Sequence, residues 1–184
     1  MSLLTLRQAI VDDLTANLPA LKTCEGHGGR FDANEVKRVA AKAPALFVAC
    51  LGVSDTDEAP DGIAGTVQWG AFVVARDTGA SGRDEGGLAI LQALLLHLPG
   101  NRWGLDQAEG RPQAIRAQNL YSATVDKMGV AMWAVSWRQR MVIGAELDPA
   151  TLDVFATFDA VYDLDQPTGS GEPEANDHLT GLDQ

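Results

Sequence analysis

Over the N-terminal stretch, Leu3, Leu6, Ile10, Leu14 and Leu18 recur at steps of three and four, while Asp12, Asp13 and Asn17 fall off that line. One apolar stripe of that period predicts a helix, and Pro19 ends it. Leu21 to Glu25 reads as a short strand, after which Gly26-His27-Gly28-Gly29 forces a turn. Asp32 is placed to cap a short helix through Lys42, with Glu35, Lys37 and Arg38 on its wet face. Beyond Pro44, the run Ala45 to Leu51 is apolar at both parities, which suits a strand covered on both faces. Ser54 to Gly65, with four acids, a proline and two glycines, reads as a loop. From Thr66 to Arg76 the odd positions Val67, Trp69, Ala71, Val73 and Ala75 are all apolar, a strand with one core face.

Asp77 to Gly87 holds four glycines and reads as a flexible loop. Leu88 to Leu98 is apolar almost all round, a helix buried on two sides, either in the core or under a neighbouring subunit. Pro99-Gly100 stops it. Asn101 to Arg111 is a loop containing Trp103, Pro112 to Tyr121 a weaker strand, and Ser122 to Met128 a helical turn. Val130 to Ile143 is the clearest strand: Ala131, Trp133, Val135, Trp137, Met141 and Ile143 share one face, interrupted only by Gln139, and Ser136, Arg138 and Arg140 take the other. Leu152 to Leu164 alternates weakly, as an edge strand or extended arm does. Beyond Gln166 the chain turns to Pro, Gly, Ser, Glu and Asp, a composition that buries too little to offset ordering entropy, so a flexible tail is expected there.

Strands 45–51 and 66–76 follow one another with no helix between them, which argues for an α+β domain. The expected architecture is a mixed or antiparallel sheet of about four to five strands packed by two to three helices. Residues 1–145 form a single assembly domain on this reading, 146–165 an extended arm or edge strand, and 166–184 an acidic tail. The 46% hydrophobic and 21% charged content is ordinary for a globular chain. Its net charge of −11 is unevenly placed: residues 146–184 hold ten acids and no Lys or Arg, leaving 15 acids against 14 bases before them. An acidic chain without a Lys/Arg run lacks the footprint of sequence-specific DNA binding. No basic-then-apolar leader opens it, so no signal peptide is expected. Leu88–Leu98, its longest apolar stretch, falls short of the ~20 residues of a membrane span. A soluble, cytoplasmic chain is the expectation.

Catalytic signatures are missing: no phosphate-binding loop, zinc-protease helix, nucleophile elbow or C-x-x-C occurs. Cys24 and Cys50 are too few for a disulfide framework or zinc site and read as reduced, buried thiols. His27, His97 and His178 share no metal spacing, and the acids Asp55, Asp57, Glu58 and Asp61 lack the central glycine and terminal glutamate of a calcium loop. No cofactor and no enzymatic activity are expected, with a small hydrolase or ligand-binding domain using Asp55, Asp57 and Asp84 as the minor alternative. Two features exceed the ordinary. Arg138 and Arg140 sit on the polar face of an apolar strand, with Arg76 ending another strand and Arg83 in the glycine loop; together they offer a contact surface for an acidic partner, including the acidic arm of an adjacent copy. Leu91 and Leu95, on the doubly apolar helix, are candidate subunit contacts. Plain surface charge and plain core burial are the alternatives for the two sets.

The segments LPALKTCEGHGGRFD, APALFVACLGV, WGAFVVAR, GLAILQALLLHLPG and MWAVSWRQRM, in that order behind an amphipathic helix, resemble the family of small tail proteins of Mu-like contractile-tailed bacteriophages and prophages regarded as tail terminators. The resemblance spans roughly residues 1–145 and rests most on APALFVACLG and WGAFVVAR. It implies an α+β subunit of a homohexameric ring at the head-proximal end of the tail. Its implied partners are further copies of itself, the tail tube protein, the tail sheath protein and a head-side neck or connector protein. DNA would pass through the channel without sequence-specific binding, no membrane is involved, and assembly takes place in the host bacterial cytoplasm. Another neck or tail-completion connector is the closest alternative role.

Overall fold

The computed structural model describes residues 1–30, 33–60, 62–78, 81–144, 157–162 and 175–180. Two compact units divide the chain at residue 146. In the first, α1 (Leu3–Asn17), β1 (Thr23–Gly26), α2 (Ala33–Ala40), β2 (Ala45–Ala59), β3 (Gly62–Arg76), α3 (Arg83–His97), β4 (Gln113–Asn119), α4 (Ala123–Lys127) and β5 (Val130–Ile143) follow in order. The sheet has the strand order β1-β2-β3-β5-β4. Only β1 and β2 are parallel, as the intervening α2 requires; every other pairing is antiparallel. The fold is α+β with a mixed five-stranded sheet. The second unit is described by an antiparallel pair, β6 (Thr157–Tyr162) with β7 (Ala175–Thr180), in register from Thr157↔Thr180 to Tyr162↔Ala175. Strand β7 lies where a tail without elements was expected.

Each sheet face carries its own core. On one face Leu6, Ile10 and Leu14 of α1 and Ile90, Leu91 and Leu94 of α3 meet Leu46, Val48, Trp69, Val73, Val135 and Trp137. On the other, Val36 and Val39 of α2 and Val125 of α4 meet Ala45, Phe47, Phe72, Val74, Val130 and Met132. The double parity of Ala45–Ala49 is thus accounted for by two helical layers. Ser2 caps α1 by accepting from the Thr5 amide at 3.1 Å. The expected cap of α2 at Asp32 lies outside the described residues.

Two elements run further than the sequence pattern predicts. The stretch 54–65 is not a loop: β2 and β3 continue through it, from Ser54↔Thr66 to Ala59↔Gly62. Gly62 makes the turn with φ +143°, where a Cβ would lie 2.1 Å from the Ile143 carbonyl oxygen, so only glycine fits. Helix α3 begins at Arg83, within the expected glycine loop. Asp77 accepts from the Arg83 amide at 2.8 Å, Asp84 and Glu85 sit in the first turn at the positive end of the helix dipole, and Gly87 is buried facing Ala75 and Trp133.

Candidate assembly surface

α3 is less a docking helix than its composition predicts. Leu91 is 6% exposed and belongs to the core of its own chain, and Leu95 is half-buried against it. Leu88 and Leu96, 50% and 74% exposed, are the apolar side chains that α3 turns outward.

The arginines divide into partnered and unpartnered. Arg140 is held by Asp57 at 2.8 Å and Glu109 at 3.2 Å, and donates to the Asp55 carbonyl at 3.2 Å. Its guanidinium pKa is raised, first through the hydrogen bond to Asp57. It pins the exposed half of β2 to the body of the sheet. Arg83 pairs with Asp126 at 2.7 Å, tying α3 to α4. Arg76 is exposed at the end of β3, on the rim of an apolar groove of about 340 Å³ between the end of α1 and α3. Arg138 is exposed and shares a pocket of about 160 Å³ with Arg116, Gln68, Ser136 and Trp137. Neither Arg138 nor Arg116 has an ion-pair or hydrogen-bond partner among the described residues. This pocket occupies the half of the sheet face beyond the Phe47–Phe72–Met132 cluster, where α2 and α4 do not reach.

Arg116 was not among the sequence candidates. Its strand reads weakly because Ala114 takes φ +50° and shifts the register between Gln113↔Arg138 and Arg116↔Ser136. The alternation of Ile115 and Ala117 against Arg116 and Gln118 is the signal that points to it.

The other titratable clusters hold elements together. His27, buried against the edge of the Phe47 ring, accepts the Gly29 amide at its Nδ1 (2.9 Å). An amide can only donate, so Nδ1 is bare and the ring proton of the neutral form sits on Nε2, facing Glu35. His27 thus ties the turn that follows β1 to α2. Glu35 also accepts from Arg38, which reaches Glu25 at 3.5 Å, and Lys42 donates to both oxygens of Glu25. Hydrogen bonds from Arg38 and then His27 hold Glu35 down at about 2, and Lys42 chiefly lowers Glu25. His97 binds Asp13, joining α3 to α1. Cys24 and Cys50 are free, half-buried thiols, and burial raises Cys24 further from reactivity. Among the described residues no group of three or more His, Cys, Asp or Glu could hold a metal, and no helix is long and apolar enough to cross a membrane. Asp57 is committed to Arg140, and Asp84 begins α3, an element apart from the β2 acids.

Residues 2–142 match the family described as Bacteriophage Mu, Gp37. The chain belongs to that family. Over 147 residues it is 28% identical to "Mu-like prophage FluMu protein gp37" of Haemophilus influenzae, covering 79% of this chain and 73% of that protein. Among solved structures, a chain of "Virion of native gene transfer agent (GTA) particle" aligns with 70% of this chain and 84% of its own length, at TM-score 0.38 and 12% identity. The resemblance to proteins of Mu-like phages and prophages therefore holds at the level of family. The Gp37 match ends at residue 142, so all of the five-stranded sheet but Ile143 lies inside the matched residues and the segment beyond 146 lies outside them.

Proposed function

We propose that this Gp37-family chain is a structural subunit of a phage virion, the tail terminator. It forms a homohexameric ring at the head-proximal end of the tail, caps the tube and sheath, and presents a surface to the neck while leaving a channel for DNA. Membership of the phage Mu Gp37 family carries this reading. Two properties of the chain support it. The exposed Leu88 and Leu96 and the unpartnered Arg116 and Arg138 belong to surfaces for partners rather than to a reaction centre. The acidic excess disfavours adhesion of a passing polyanion, since like charges repel within a Debye length of about 8 Å.

Native mass spectrometry of the purified chain and of tail-derived complexes is expected to show a closed ring of six copies. Phage lacking the chain should make tails of uncontrolled length. A strict monomer that never joins tubes, together with normal tail length in its absence, overturns the proposal. Density for the chain at the neck, away from the last sheath ring, makes it a connector instead.

A further inference from the structure

The outer edge of β4 has no strand beside it among the described residues: β5 lies along one side of Gln113–Asn119 and nothing pairs with the other. The opposite margin of the sheet is better guarded. There the edge strand β1 is only four residues long and carries Glu25, and beyond it β2 carries two register shifts and the acids Asp55, Asp57 and Glu58. Bulges and charge are the features that deter a sheet edge from pairing. Strand β4 has one irregularity and no acid. Beside its free edge, Arg116 and Arg138 line one pocket on the uncovered part of the sheet face. Arg140, two residues beyond Arg138 on β5, is matched by Asp57 and Glu109, so among the described residues one arginine of this face is neutralised and the other two are not. Two guanidinium groups at one pocket repel; an anion between them removes the repulsion and accepts strong charge-assisted hydrogen bonds.

We infer that this pocket and the β4 edge receive the acidic C-terminal segment, residues 146–184, of a neighbouring copy of the chain. Charge complementarity selects the occupant: the segment holds ten acids and no Lys or Arg, and every copy in an assembly brings one. The free edge adds main-chain donors and acceptors for an added strand, and β6 and β7, which pair with each other, each keep one edge open among the described residues, while the arginines give the charge selection. Donor segment and acceptor pocket are different parts of the surface, so the contact is heterologous, the kind that closes into a ring when repeated head to tail; this step rests on the ring reading above. A nucleic acid fits less well, because two unmatched arginines on a chain of net charge −11 neutralise too few phosphates for appreciable affinity.

Photo-crosslinking of the full-length chain tests the inference. A benzophenone amino acid replaces Gln118, exposed on β4, in an equal mixture of isotope-labelled and unlabelled chains. The expected products join labelled to unlabelled chains through residues 146–184 and diminish as salt screens the contact. Arg116→Glu with Arg138→Glu should lower their yield about tenfold at low salt, with an unchanged circular dichroism spectrum because both side chains are exposed. Crosslinks confined to one isotope class, crosslinks to other segments, undiminished yield in the double variant, or no crosslinks at all overturn the inference. So does displacement of the crosslinks by stoichiometric duplex DNA, which assigns the pocket to nucleic acid. If the double variant still forms hexamers and stops tails normally, this contact fails while the ring reading stands. If mixed crosslinks form but phage lacking the chain have normal tails, the contact stands and the terminator reading fails.

Discussion

Gln139 shows how one polar side chain can fix a loop. It is 1% exposed, on the face of β5 that is otherwise apolar. Its Oε1 accepts from Trp103 Nε1 at 2.7 Å, and its Nε2 donates to the carbonyls of Asn101 at 3.2 Å and Gly110 at 2.9 Å. A buried amide serving three partners contributes mainly by preventing three unsatisfied groups. Gln139→Leu keeps the volume and strands all three, so urea denaturation should show a loss of about 2–4 kcal/mol at unchanged m-value. A loss below about 0.5 kcal/mol would show that the loop re-pairs elsewhere. The residue was visible in the sequence as the single break in an apolar face; its partner Trp103 was not, because the contact depends on a loop conformation with φ +58° at that tryptophan. Glu35 gives a pH prediction. Its pKa is lowered in the folded protein to about 2, below the unfolded value, so between those values the unfolded chain binds the extra proton and stability rises with pH. Melting temperatures should therefore fall as pH drops from roughly 4.5 toward 2, and Glu35→Gln should flatten that fall. Identical acid profiles for the two proteins would remove Glu35 from the account.

At the scale of elements, the outer half of the β2–β3 hairpin and the start of α3 are where sequence pattern misleads. Acids, proline and glycine between Ser54 and Gly65 carry the composition of a loop, yet the strand continues because β3 pairs with it and Arg140 gathers Asp57 and the Asp55 carbonyl. The compensating charge lies on another strand, which a linear pattern cannot register. The strands with one apolar face, β5 and the part of β3 from Thr66 onward, are legible, since their period survives in the sequence. Arg140→Ala should accordingly loosen an element rather than unfold the protein. Its ion pairs are exposed to solvent screening, so the global denaturation midpoint should barely move. Hydrogen exchange at the amides of 54–66 should meanwhile accelerate. Unchanged exchange there would mean that strand pairing alone holds the hairpin out. The same limit applied to the candidate surface: Arg138 and Arg140 were identifiable on one strand face, but which of them is neutralised depends on Asp57 and Glu109, distant in sequence.

For the whole molecule, the division of charge separates stability from solubility. Among the described residues, both hydrophobic cores lie between Leu6 and Met141, with half-buried neighbours at Met1, Leu3 and Ile143, and the Gly144 amide closes onto the Met1 carbonyl at 2.9 Å. A chain ending at residue 145 keeps all of these core side chains, and its denaturation free energy should stay within about 1 kcal/mol of the full-length value. Its charge, by contrast, changes almost completely: net −11 becomes −1, from 15 acids against 14 bases. Retention on an anion exchanger should collapse, and solubility near neutral pH should fall, because a surface of almost no net charge no longer keeps copies apart. If truncation instead lowers the denaturation midpoint substantially, the segment contributes to the fold of the body, and its acids cannot be treated as a separable charge reservoir for contacts between copies.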